Sequence, residues 1–150
     1  MTTLVGTQKN FVTALKELIE LDYDAIEAYE AAINRIKNEE YKNRLQKFKE
    51  DHERHVKELN NLLVIHKEEV VKGPSVKQWL TKGKVVLANL VGDEAILHAM
   101  LTNEEDTNMA YERLNNHPEK WQDAAEILKQ GLSDERTHKR WIEENENKLI

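Results

Sequence analysis

Cysteine is absent from the 150 residues of this chain. Its absence excludes a disulfide scaffold, a thiolate zinc site, a cysteine-held iron–sulfur cluster and a cysteine nucleophile. Glycine (5) and proline (2) are scarce, too few for the many tight turns of a β-sandwich or barrel. Basic residues are outnumbered, 22 against 28 acidic, for a formal net charge of −6. Non-specific nucleic-acid binding through a basic surface is therefore not expected. No apolar run reaches the roughly 18–20 residues that cross a bilayer. The opening Met1-Thr2-Thr3-Leu4-Val5-Gly6 lacks the basic stretch and apolar run of a signal peptide, so the expected location is the cytoplasm.

What is present is helical periodicity. Charged residues make up 33% of the chain and hydrophobic ones 39%, a balance suited to amphipathic helices around one core. Apolar residues recur at steps of three and four in four long segments. The first, residues 8–37, carries the stripe Phe11, Leu15, Leu18, Asp22, Ala25, Tyr29, Ala32 and Ile36. The second, residues 39–67 after a cap at Asn38, carries Tyr41, Leu45, Phe48, His52, His55, Leu59, Leu62 and His66. So short a break implies an antiparallel hairpin. Lys72-Gly73-Pro74 is a breaker, and Ser75 with Gln78 forms a capping box before a shorter helix over 75–91. That helix is expected inside a long crossover between two hairpins. The third long segment, 93–115, opens with Asp93 as cap and carries Leu97, Met100, Glu104, Thr107, Tyr111 and Leu114. The fourth, 118–148, opens with Pro118 at its first position and carries Trp121, Ala124, Leu128, Gly131, Glu135, His138 and Ile142. The expected architecture is all-α: one domain, an up-down four-helix bundle of two antiparallel hairpins.

The two hairpins repeat one another. Residues 24–30 (DAIEAYE) parallel 106–112 (DTNMAYE) at an offset of 82, and Asp51-His52-Glu53-Arg54-His55 parallels Asp134-Glu135-Arg136-Thr137-His138 at an offset of 83.

Each stripe should be apolar throughout, yet each is broken near its middle by ionisable residues: Asp22, then His52 and His55, then Glu104, then Glu135 and His138. In two antiparallel hairpins these levels coincide. Buried carboxylates take up protons, pair with cations or bind metal, and no Lys or Arg lies on any stripe. Carboxylate with imidazole suits iron or manganese and tolerates zinc. Residues three apart share a helix face, so His52/His55 and Glu135/His138 can each aim two donors at one point. A carboxylate-to-His step of three, with single carboxylates from other helices, is the ligand pattern of dinuclear carboxylate bundles. Glu135/His138 fits it, and Asp22 and Glu104 supply the single carboxylates. Tyr29 and Tyr111 follow Asp22 and Glu104 by seven residues, two turns on, and can hydrogen-bond to ligands. Gly131, one turn before Glu135, leaves space or lets a helix approach. His66, His98, His117, Trp79, Trp121 and Trp141 read as packing or surface residues.

On these residues the chain resembles the ferritin-like superfamily (rubrerythrin, bacterioferritin, ferritin and uncharacterised bacterial relatives) from about Gln8 to Lys148. The resemblance implies two bound Fe ions, with Mn or Zn as substitutes, reacting with O2 or H2O2 in iron handling or oxidative-stress defence. The chain departs from the superfamily at His52, where a metal-bridging Glu is usual, and at Asp22, where Glu is usual. With His52, Glu135 alone bridges two metals, or Asp22, His52 and His55 hold one, or the site is degenerate. No CxxC is present, so the rubredoxin-type module of rubrerythrin is missing and an active form needs an external electron donor. The alternative expectation is a non-enzymatic scaffold or interaction bundle that acts as a homodimer. No P-loop, GxGxxG, HExxH or GxSxG motif points to other chemistry.

Overall fold

The computed structural model describes residues 3–75 and 89–149. Among them are four α-helices and no strands: α1 (Phe11–Ile33), α2 (Glu39–Ile65), α3 (Asp93–Asn115) and α4 (Ala125–Leu149), the last preceded by a short 3-10 turn at Gln122–Ala124. The expected helix over 75–91, with its capping box and Trp79, falls almost wholly outside the described residues.

Asn10 and Asn38 cap α1 and α2, their side chains accepting from the Thr13 and Tyr41 amides, and this offsets orphan donors at each start. Two starts differ from expectation. Asp93 is the first residue of α3, not its cap; Gly92 precedes it without a side-chain cap bond. The Asp93 carboxylate instead accepts from the Lys37 and Asn38 amides, at 2.8 and 3.0 Å, tying the α1–α2 turn to the start of α3. Pro118 does not open a helix. It lies in a turn, and the last helix begins at Ala125 after Trp121 is anchored by stacking on His66 and edge contact with Phe11.

α1 packs along α2, and α3 along α4; the two hairpins meet mainly through α1 and α3. Tyr29 reaches Glu104 while Tyr111 reaches Asp22, so α1 and α3 run antiparallel. Tyr41 meets Trp141 and His66 meets Asp123, so α2 and α4 do too. α2 ends beside Trp121, whereas α3 begins beside the α1–α2 turn. The end of α2 and the start of α3 therefore lie at opposite ends of the bundle.

The expected stripes are the buried faces. Every residue of the α1 and α3 stripes is buried, and so is every α2 stripe residue except His66. Apolar layers of Leu15, Leu18, Leu59, Leu62 and Leu128 on one side, and of Tyr41, Leu45, Phe48, Leu97 and Ile142 on the other, enclose a polar layer at mid-bundle.

Candidate metal centre

Asp22, His52, His55, Glu104, Glu135 and His138 all lie in this layer, each no more than 2% exposed. α1 contributes Asp22, α2 both histidines, α3 Glu104, and α4 the Glu135/His138 pair. Two overlapping groups converge: Asp22, His52, His55 and Glu135, and His52, Glu104, Glu135 and His138. In each, one ligand atom per residue lies within 4.8 Å of all the others. His52 and Glu135 belong to both.

The hydrogen bonds follow the internal repeat. Tyr29 donates to Glu104 Oε1, and Tyr111 donates to Asp22 Oδ2 at 2.6 Å. Each tyrosine thus holds the carboxylate of the opposite hairpin. Thr107 donates to Glu104 Oε2 at 3.0 Å. The space that Gly131 leaves is filled by the Tyr111 ring of α3, with Cδ1 2.9 Å from where a Cβ would stand.

Two residues that sequence reasoning did not single out are Asp51 and Asp134. His138 Nε2 lies 2.8 Å from Asp51 Oδ2, and His55 Nε2 lies 2.8 Å from Asp134 Oδ2. An ionised carboxylate only accepts, so each imidazole donates outward through Nε2 and turns Nδ1 to the interior. Arg54 pairs with both aspartates at the α2–α4 seam. The signal was in the sequence, because Asp51 and Asp134 are related by the repeat offset that aligns His52 with Glu135. His66, His98 and His117 stand apart, paired with Asp123, Glu146 and the Gln8 carbonyl.

Electrostatics bind the layer together. Burial opposes ionisation of Asp22, but the hydrogen bond from His52 and the close approach of His55 outweigh it and lower its pKa. Glu104 is likewise lowered against burial, by the charge and hydrogen bond of His138 and by His52. The imidazoles rise although burial disfavours their charge: His52 to about 10 through Glu135, Asp22 and Glu104, and His55 to about 9 through Asp134 and Asp22. His138 also rises, through Glu104 and Asp51. Glu135 is pushed up to about 7 by burial and the neighbouring Glu104 charge. The lack of Lys and Arg on the stripes therefore does not leave the acids unbalanced. The three raised imidazoles face the ionised Asp22 and Glu104, while Glu135 holds its proton more tightly than an ordinary carboxyl.

The donor set nevertheless fits a divalent cation. His52 Nε2, His55 Nδ1 and Glu135 Oε1 are buried and have no hydrogen-bond partner, a costly condition unless something else engages them. Imidazole nitrogen and carboxylate oxygen are the donors that iron, manganese and zinc accept.

The fold and this layer define the class: an all-helical bundle with a carboxylate–imidazole centre capable of holding metal. The chain belongs to the family DUF2383, described as a domain of unknown function, whose model matches residues 10–117. The match includes Asp22, His52, His55 and Glu104, and ends before Glu135 and His138. Neither the curated proteins nor the solved structures gave a match.

Proposed function

We propose that this chain is a metal-binding bundle of the ferritin-like kind, with two overlapping positions for divalent ions in its core layer. The observation that carries the reading is that His52 Nε2, His55 Nδ1 and Glu135 Oε1 are buried without hydrogen-bond partners inside two overlapping groups of ligand-type side chains. Iron is the proposed ion, with manganese or zinc as substitutes. The chemistry that bound iron supplies is electron transfer to O2 or H2O2, in a ferroxidase or peroxidase role serving iron handling or oxidative-stress defence.

The protein's part is positional. Asp22, His55, Glu104, Glu135 and His138 bind, with His52 between the two positions. Tyr29, Tyr111 and Thr107 fix carboxylate oxygens by donating to them, and Asp51 and Asp134 hold the ring orientation of His138 and His55. The apolar layers on both sides exclude water. Electrons come from an outside donor, since the chain has no cysteine to hold a redox cluster. No described helix is long and apolar enough to cross a membrane, which fits the proposed cytoplasmic setting. The proposal leaves the assembly open to a homodimer.

A second reading has its own support. The imidazolium–carboxylate balance lets the layer stand without metal, as a polar device that fixes helix register in a scaffold. Loading with Fe(II), desalting and metal analysis separates the two. The proposed function requires Fe(II) near stoichiometric with the chain, lost together with peroxide-dependent Fe(II) oxidation in the double variant Glu135→Ala/His138→Ala. Occupancy below about 0.2 per chain, under conditions where such a site fills, supports the scaffold instead.

A further inference from the structure

The two metal positions share His52, but the surroundings of its ring are unequal. Nδ1 lies 2.8 Å from Asp22 Oδ1. Asp22 also receives the Tyr111 hydroxyl at Oδ2, and as an ionised carboxylate it has only acceptors to offer. The proton between them therefore sits on Nδ1. A neutral imidazole has one lone pair, and with Nδ1 protonated it is on Nε2. That atom is buried without a hydrogen-bond partner, 3.6 Å from Glu104 Oε1. His52 is thus turned away from the Asp22 group and toward the Glu104 group.

The remaining donors favour the same side. His138 Nδ1 lies 3.0 Å from Glu135 Oε2 and 3.4 Å from Glu104 Oε1, with its other nitrogen committed to Asp51. The Glu104 side then has four donors: His52 Nε2, His138 Nδ1, Glu104 and Glu135. The Asp22 side has three: Asp22, whose Oδ1 is committed to His52 Nδ1; His55 Nδ1; and Glu135, which is shared. Charge adds to the inequality. One divalent ion is balanced by Glu104 and Glu135, whereas a second would meet only the single charge of Asp22 in a low-dielectric interior.

The geometry points to an ordered and unequal centre: the first ion binds at His52 Nε2, Glu104, Glu135 and His138 Nδ1, and toward that ion Asp22 serves as the carboxylate that orients His52 rather than as a ligand. This inference rests on the metal-binding reading above and specifies it. It differs from the single-ion alternative read from the sequence, in which Asp22, His52 and His55 form the set. It also gives the His52 departure a consequence. An imidazole tethered at Nδ1 serves one ion, where a carboxylate there would bridge two.

The test titrates the metal-free full-length chain with Co(II), whose visible absorption and paramagnetic NMR shifts report its ligands. The expected result is one tight equivalent per chain followed by a separate, weaker step. The tight equivalent is lost in His138→Ala and kept in His55→Ala. Asp22→Asn, still helical by circular dichroism, weakens it by about 10–100-fold, the usual effect of removing a carboxylate behind a ligating histidine. The wild-type chain gives a readout that does not depend on any variant folding. At one equivalent of Co(II), the strongly shifted exchangeable ring N–H signals should belong to His52 Nδ1–H and His138 Nε2–H, and the former should move in Asp22→Asn. Two equivalents of equal affinity would overturn the inference while leaving the metal-binding reading intact. So would shifted ring signals from His55 with none from His138. Absence of any Co(II) binding overturns both.

Discussion

Gly131 shows how one missing side chain positions a ligand. The Tyr111 ring occupies its place, and the Tyr111 hydroxyl holds Asp22, which in turn holds His52. A Cβ at 131 would overlap the ring at Cε1 and approach Cδ1 to 2.9 Å, and a ring packed in the core has little room to retreat. Gly131→Ala should therefore destabilise the chain by about 1–3 kcal/mol, the range for overpacking a core, despite the usual gain from removing a helical glycine. Urea unfolding measures this, and an increase in stability would show that Tyr111 is free to move. The six candidate ligands were legible at this scale because each breaks an apolar stripe at a helical interval. Asp51 and Asp134 were less so. They lie one residue off the stripe, and only their cross-pairing to His138 and His55 shows their role.

Helix ends were harder to read than helix faces. α2 was expected to run to Lys67 but stops at Ile65 with His66 as its cap. Lys67 adopts a left-handed φ of 61°, the Glu68 amide donates to Leu63 and the Lys67 amide to Val64. This is a Schellman motif without the glycine that normally marks it, so the sequence carried no stop signal. A side chain held in this region is strained by roughly 1–3 kcal/mol. Lys67→Gly should recover part of that, about 0.5–1 kcal/mol, visible as a higher urea midpoint at unchanged slope. A lower midpoint would mean that the lysine stem contributes more than its strain costs. Pro118 and Asp93 misled for a related reason. Each matches a helix-start pattern, but aromatic packing around Trp121 delays the start of α4, and the carboxylate of Asp93 is drawn to the α1–α2 turn.

For the whole molecule, the polar layer ties stability to pH. Asp22 and Glu104 have folded pKa values below their ordinary ones, so their contribution is present above about pH 4 and lost as the pH falls through the folded values. His52 and His55 are raised, to about 10 and about 9, and His138 is raised as well. Their contribution is full below about 6.5 and lost as the pH climbs through the folded values. Glu135, raised to about 7, adds a penalty that grows from about pH 4.5 upward. The metal-free chain should accordingly be most stable near pH 4.5–5 and weaken steadily toward pH 9, a profile readable by thermal unfolding across that range. Maximal stability at pH 8–9 would show that the histidines stay neutral in the fold. A bound divalent ion should flatten the alkaline arm, because it replaces the imidazolium charges that balance the acids.

The sequence by itself determined the class of fold and which side chains enter its interior. Both follow from the 3.6-residue period, a local property that survives without knowledge of neighbouring helices. It also determined that cysteine chemistry is excluded. Only the tertiary structure decided which nitrogen of each imidazole faces inward, because that depends on carboxylates reached across helices: Asp22 for His52, Asp51 for His138 and Asp134 for His55. It also decided that the layer can balance its own charge, since a pKa is set by burial and by neighbours in space, neither of which a single helix face specifies.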